Sequence, residues 1–409
     1  MREAVRCCVE ILRINRSCTC SAILISRATA SPSFRPRSRP LWRALVSGPS
    51  YGVEVTRGGG TEPGGPLPVF ADVDTGVDDA MALVYLLASA DAELVGIAST
   101  AGNVPVQQVC RNNLRLLELC DFTGVPVSKG SEQPVGGPLR TAEDTHGSEG
   151  LGYAHLPSTD RPLTAHDAAE AWVRAAHAYP GELIGVATGP LTNLALALRS
   201  EPALPKLLRR LVIMGGSFAY RGNTTPVAEW NISVDPEAAA EVFAVWGATW
   251  GLKPPKHLPI VLGLNLTENI AMTPALLGRL ATAAESSTVQ MSVLDDRGTR
   301  STASNPLIRA LEDAMRFYFE FHFDQGEGYL AHLHDPLAAA VALDPDLVQC
   351  RPATVDVELT GTLTRGMTVA DWNGRWGRSP NALVGLEVDP AAFFDRFIAR
   401  VGSFAKRLG

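Results

Sequence analysis

The chain has 409 residues, 46% apolar and 19% charged, enough for one large α/β domain or two modest ones around a sizeable core. Its formal charge of -7 is uneven: residues 1–66 hold ten Arg and four acidic residues, so the remainder carries about -13. That acidic body argues against nucleic acid as a partner, since phosphate binding needs a basic face, and no apolar run approaches the ~18 residues that cross a bilayer.

Residues 1–66 are rich in Arg and Ser, poor in acid and without periodicity, and they include Pro32, Pro36, Pro40 and Gly58-Gly59-Gly60. Two readings fit: an organelle transit segment, or a disordered tail or mis-started upstream sequence. The second is favoured, because Arg outnumbers Lys 31 to 5, as in GC-rich coding sequence where spurious starts are common. Either way the fold is expected over 67–409. Cys110, Cys120 and Cys350 are the only thiols of that body, scattered as buried small hydrophobes rather than as a disulfide framework. A reducing, cytoplasmic setting is expected.

From Leu67 the pattern alternates. Leu67–Val73 reads as a strand, Asp78–Ala90 as a helix, Leu94–Ser99 as a strand and Val106–Leu119 as a helix. Val125–Ser128 is short and extended, Ala165–Ala178 helical, Leu183–Ala187 a buried strand, and Leu191–Leu198 helical again. Leu211–Met214 is a strand, Pro236–Val245 a helix, and Ile260–Leu266 the last strand of the series. Such alternation predicts an α/β fold: an open, mostly parallel sheet with helices on both faces. After Thr273 helical periodicity dominates to about Leu343, and Val355–Val369 reads as a small β-hairpin; both are expected as additions to the same domain.

The strongest chemical signal is Phe70-Ala-Asp72-Val-Asp74-Thr-Gly-Val-Asp78-Asp79-Ala80, four carboxylates leaving a strand and entering a helix. Carboxylates this close stay ionised together only around a cation. Strand alternation predicts Asp72 and Asp74 on one side, and Gly76 a tight turn that returns Asp78 and Asp79 to them. Capping of the helix would account for one of the four, not all. Asp72-Val-Asp74 also resembles the nucleophile motif of dehalogenase-type phosphatases, but Gly76 stands where that motif needs Thr or Val, and no Lys lies in a fitting setting.

The segment Asp72–Ala80 resembles the N-terminal fingerprint of the inosine–uridine-type nucleoside hydrolases. The resemblance continues over roughly 67–400 through Ser99-Thr-Ala-Gly-Asn103, Thr145-His146-Gly147 with Gly150-Leu151-Gly152, and Thr188-Gly-Pro-Leu-Thr-Asn193. Met214-Gly-Gly216, Gly222-Asn223, Ala228-Glu229-Trp230-Asn231 and His334-Asp335-Pro336 follow in order. It implies Ca²⁺-dependent hydrolysis of the N-glycosidic bond of ribonucleosides, by a homo-oligomer, dimer or tetramer. It further implies that Asp74, Asp79, the backbone carbonyl of Thr188 and Asp335 hold the ion, with Asp74 taking the proton from water. Ribose binding falls by the same resemblance to Asp78, Asn103, Asn223, Glu229 and Asn231, with Met214 beneath the sugar. Trp230 departs from the Phe expected there and still supplies an apolar wall.

Of the histidines, the resemblance implies His334 as general acid to the leaving base and His146 as a base contact. The segment His146–Gly152 lacks the Trp of the purine-specific branch, which with both histidines leans toward a pyrimidine-preferring or non-specific enzyme. An aromatic from the helical segment running from Phe317-Tyr318 to Tyr329 is expected over the base.

Overall fold

Six short apolar runs become a parallel sheet: β1 (Leu67–Val73), β2 (Ala92–Ser99), β3 (Val127–Lys129), β4 (Leu183–Ala187), β5 (Leu208–Met214) and β6 (Ile260–Leu262). This computed structural model describes residues 65–250 and 257–409, which fall in one compact unit, Gly59–Gly409. Two short strands, β7 (Ala271–Met272) and β8 (Ala331–His332), form a separate antiparallel pair. The last three strands are β9 (Val348–Val357), β10 (Thr368–Asp371) and β11 (Ala382–Val388).

The nine-stranded sheet runs β10-β9-β11-β6-β5-β4-β1-β2-β3. The chain first moves outward from β1 to β2 and β3, then returns to the other side of β1 with β4, β5 and β6. The order therefore reverses between β1 and β4, and a crevice opens beyond their carboxyl ends, where open α/β sheets bind ligands.

Helices Val77–Leu87, His334–Leu343 and Pro390–Leu408 bury their apolar residues in one core against the sheet. Helices Ala168–Ala178, Thr192–Ser200 and Pro236–Trp250 pack Trp172, Phe243 and Trp246 into a second core on the other face. Central strands covered on both sides read as near-continuous apolar runs, as β4 does and as β1 does apart from Asp72.

The differences from the sequence reading have local causes. The strand expected over Ile260–Leu266 ends at Leu262, because Gly263 caps a short helix, Leu264–Thr267, whose apolar residues are buried as well as any strand's. The expected hairpin over Val355–Val369 is present as β9 and β10, and β11 inserts between β9 and β6, so the hairpin is part of the main sheet. Neither β11 nor the helix Pro390–Leu408 was anticipated; Asp389 caps that helix by accepting from the N–H of Ala391 and Ala392. The reading of 1–66 lies, but for its last two residues, outside the described residues. Cys110, Cys120 and Cys350 are free thiols, the first two buried as expected.

No helix of the described residues is long and apolar enough to cross a membrane.

Candidate active site

β1 ends at Val73, and Asp74 starts the connection to the helix Val77–Leu87. Gly76 is extended there (φ -93°, ψ -162°), so the tight turn expected of it does not occur. Its small size is needed instead for a close approach: a Cβ would sit 2.6 Å from His146 Nδ1 and 2.7 Å from Asn103 Nδ2. Asp78 and Asp79 then occupy the first turn of the helix, where the macrodipole favours negative charge. Asp335 holds the equivalent place in the helix His334–Leu343, which packs beside the first.

The expected partnership of Asp72 and Asp74 is not found. Asp72 is buried with both oxygens satisfied, accepting from the Thr100 hydroxyl, from Asn193 Nδ2 at 3.0 Å and from Trp172 Nε1 at 2.7 Å. Burial pushes its carboxyl up to about 6 against the pull of those donors. Asp74 is different. Its Oδ2 accepts from the Asn103 N–H at 2.8 Å, but its Oδ1 is buried with no hydrogen-bond partner. The chain closes tightly over it, since a Cβ on Gly102 would lie 2.1 Å from Asp74 Oδ2.

Asp78, Asp79 and Asp335 form the tightest carboxylate group, with one oxygen from each within 4.8 Å of the others. Asp79 Oδ1 accepts from the Thr188 hydroxyl at 2.7 Å, and its Oδ2 from Gly76 N–H at 2.9 Å and Asn103 Nδ2 at 3.3 Å. Burial, then repulsion by Asp79, holds Asp78 up to about 7. Burial and the neighbouring aspartates push Asp74 and Asp335 well above the usual carboxylate range, and burial raises Asp79. Asp78, Asp79 and Asp335 could hold a metal ion, and with the orphaned oxygen of Asp74 nearby the donors are hard oxygens, the chemistry that Ca²⁺ takes.

Beside this group opens a cavity of about 500 Å³. Ten of the twelve residues predicted for the site line it: Asp78, Asn103, His146, Thr188, Met214, Asn223, Glu229, Asn231, His334 and Asp335. Asp74 and Asp79 lie behind the wall, bonded to Asn103 and Thr188.

Several of these residues hold one another. Glu229 caps the short helix Trp230–Val234, accepting from the N–H of Asn231 at 2.8 Å, Ile232 at 3.0 Å and Gly216 at 2.9 Å. Burial nonetheless lifts it to about 7. Asn231 Nδ2 donates to the Thr188 carbonyl at 2.6 Å and to Met214 O at 3.3 Å, which fixes a predicted metal ligand with its second lone pair to spare. Asn223 Oδ1 accepts from Trp230 N–H at 3.0 Å. The buried Oδ1 of Asn103 has no partner, an acceptor ready for a ligand hydroxyl.

The far end of the cavity is imidazole-rich. His146 Nδ1 accepts from Val77 N–H at 3.2 Å, which leaves the proton on Nε2, and its ring lies 5.3 Å from that of Tyr318. Burial pushes His146 down to about 3. His334 Nδ1 is 2.7 Å from the Thr267 hydroxyl, and burial with the neighbouring imidazoles holds it well below its ordinary value. Of the aromatics between Phe317 and Tyr329, Tyr318 and Phe321 line the cavity. Arg221, Glu268, His322, Glu327 and His332 also line it and carried no sequence signal, each being a single residue outside any motif.

A family model described as inosine-uridine preferring nucleoside hydrolase matches residues 69–395. The pyrimidine-specific ribonucleoside hydrolase RihA of Enterobacter sp. (strain 638) is 35% identical over 343 residues, covering 83% of this chain and 99% of that protein. The enzyme of the same name from Salmonella typhi is 36% identical over 341 residues, with the same coverage. Among solved structures, a purine-preferring ribonucleoside hydrolase from Gardnerella vaginalis superposes with a TM-score of 0.72 at 29% identity, covering 83% of this chain and 99% of its own. The plant nucleoside hydrolase PpNRh1 gives 0.70 at 29% identity and the same coverage.

Proposed function

This chain belongs to the inosine-uridine preferring nucleoside hydrolase family and is a ribonucleoside hydrolase acting on N-glycosyl bonds, and on that premise we propose a calcium-dependent mechanism centred on Asp74. The observation that carries the proposal is the buried, unpartnered Oδ1 of Asp74 beside the carboxylates of Asp78, Asp79 and Asp335. Asp74, Asp79, Asp335 and the Thr188 carbonyl would hold the ion. When bound, calcium supplies Lewis acidity that makes water easier to deprotonate and a charge that gathers sugar hydroxyls.

The rest belongs to the chain's own groups. Asp74 Oδ1 accepts the proton from the attacking water. Asp78 and the free Oδ1 of Asn103 accept from ribose hydroxyls, and the negative wall favours the oxocarbenium-like charge that grows on the sugar as the bond to the base breaks. Asn223, Glu229 and Asn231 shape the ribose end around Met214. His146 and His334 face the base. With Nδ1 of His334 engaged by Thr267, its Nε2 is left for the departing base. Burial favours the neutral ring, so His334 serves the base as a hydrogen-bond donor in the first instance and not as a stored proton.

The base preference we propose is pyrimidine-preferring or non-specific, supported by the relatives named pyrimidine-specific and by the two imidazoles on the cavity wall. Free ribose released from uridine, cytidine, inosine and adenosine measures it directly. Turnover of uridine or cytidine at least equal to inosine is expected, and exclusive purine turnover would refute the preference. Chelation of calcium is expected to abolish turnover and lower the melting temperature, both restored by Ca²⁺. Full activity after exhaustive chelation would remove the metal from the mechanism.

A further inference from the structure

In the same cavity wall, His322 and His332 converge on Glu327. His322 lies in the last turn of the helix Pro306–Asp324, Glu327 in the connection that follows, and His332 on β8. Nδ1 of His322 is 2.8 Å from Oε2 of Glu327, and Nε2 of His332 is 3.6 Å from the same oxygen. One ligand atom from each of the three residues falls within 4.8 Å of the others. We propose that His322, Glu327 and His332 form a second metal site, selective for a borderline-soft first-row ion such as Zn²⁺.

The donor set separates it from the aspartate group. Two imidazole nitrogens and one carboxylate oxygen suit zinc, whereas the aspartates offer only hard oxygens. A carboxylate that needed only hydrogen bonds is already served by His322 on one oxygen and by Arg221, 3.0 Å from Oε1, on the other. The second imidazole, turned toward Oε2 at a distance too long for a hydrogen bond, is what a shared ion accounts for. The remaining nitrogens, His322 Nε2 and His332 Nδ1, are buried without a hydrogen-bond partner, and the backbone of Glu268 lies against the His332 ring.

Second-sphere support is present as well. Arg221 also bonds Glu268 Oε2 at 3.0 Å, which receives the Tyr220 hydroxyl at 2.7 Å. That chain orients Glu327, and Glu268 answers the charge of Arg221, which would otherwise oppose a cation. Burial pushes His332 down to about 4 and lowers His322, so both rings offer lone pairs without first losing a proton. Three protein ligands leave a fourth position open, and all three residues line the cavity, so that position faces the base end of a bound nucleoside.

The test is zinc uptake by the full chain in excess Ca²⁺, with thiols alkylated first so that Cys7, Cys8, Cys18 and Cys20 cannot compete for the ion. Calorimetric titration with ZnCl₂ is expected to give a single tight equivalent in the parent protein. H332A and E327Q are expected to weaken it by more than the roughly 10–100-fold that losing an outer-sphere partner costs. D335N is expected to keep it. No zinc uptake by the parent, equal affinity in H332A, or loss in D335N would each overturn the site. Should H332A fail to fold by circular dichroism, Co²⁺ loaded into the parent decides: intense visible ligand-field bands of a four- or five-coordinate ion support the site, and the weak bands of an octahedral one refute it.

Discussion

Two sets of buried titratable groups meet at the cavity: four carboxylates, Asp74, Asp78, Asp79 and Asp335, two of them behind its wall, and four imidazoles, His146, His322, His332 and His334. Burial acts on both sets and pushes both toward neutrality, raising the acids and lowering the bases. The consequences are opposite. A neutral imidazole is still a donor, an acceptor and a ligand, so the histidine end works as built. A protonated carboxylate neither holds a hard ion nor takes a proton from water, so in the proposed mechanism the aspartate end works only once a cation restores its charge. The same desolvation thus demands a partner at one end and none at the other.

The sharpest way to break that contrast is to remove the residue with the orphaned oxygen. Asp74→Ala is expected to lower kcat at least about 10³-fold, losing a proton acceptor and an ion ligand together. Circular dichroism and gel filtration are expected to be unchanged, because Asp74 makes a single described side-chain hydrogen bond, to the Asn103 N–H. Near-normal turnover in that variant would mean that the carboxylate end is structural.

The difference between the ends is also a difference in legibility. Asp74, Asp78 and Asp79 lie within one strand–helix connection, so their crowding is visible in the sequence itself, and the alternation of apolar runs located the sheet that carries them. Asp72 belongs to the same motif, yet the donors that satisfy it come from Thr100, Trp172 and Asn193, far along the chain, and nothing in the motif sets it apart from Asp74. His322, Glu327 and His332 are brought together by a helix end and a two-residue strand, and single residues in such settings carry no pattern. β11 escaped for a related reason: Ala382–Val388 is a short run interrupted by Gly385 and Glu387, and its place in the sheet comes from pairing with β9 and β6.

A smaller effect sharpens the comparison from the imidazole side. His334→Ala is expected to lower kcat about 100-fold with KM little changed, the usual scale for support of a leaving group. A ribosyl p-nitrophenolate, whose leaving group needs no proton, is expected to be cleaved nearly as well as by the parent. Equal losses on both substrates would assign His334 to holding its neighbour Asp335, and would move it from the imidazole end to the carboxylate end.

The smallest effect asks whether burial alone, without a metal, gives the carboxylates their character. Glu229 is the control: as buried as the aspartates and lining the same cavity, but bonded only to backbone N–H groups. Its folded-state value near 7 stands above the 4.5 of an unperturbed Glu, so the folded state binds the extra proton between those values. Stability from this group is therefore complete below about 4.5 and lost as pH rises through about 7. In saturating Ca²⁺ the proposed ion ligands are expected to stay charged in this range. Because the four buried imidazoles add stability as pH rises through the same range, the Glu229 effect is read as a difference: relative to Glu229→Gln, the parent is expected to lose about 1–2 kcal/mol between roughly pH 6 and pH 8 in denaturant unfolding. Parallel pH profiles in the parent and Glu229→Gln would show that burial does not raise Glu229 and would remove it as the control.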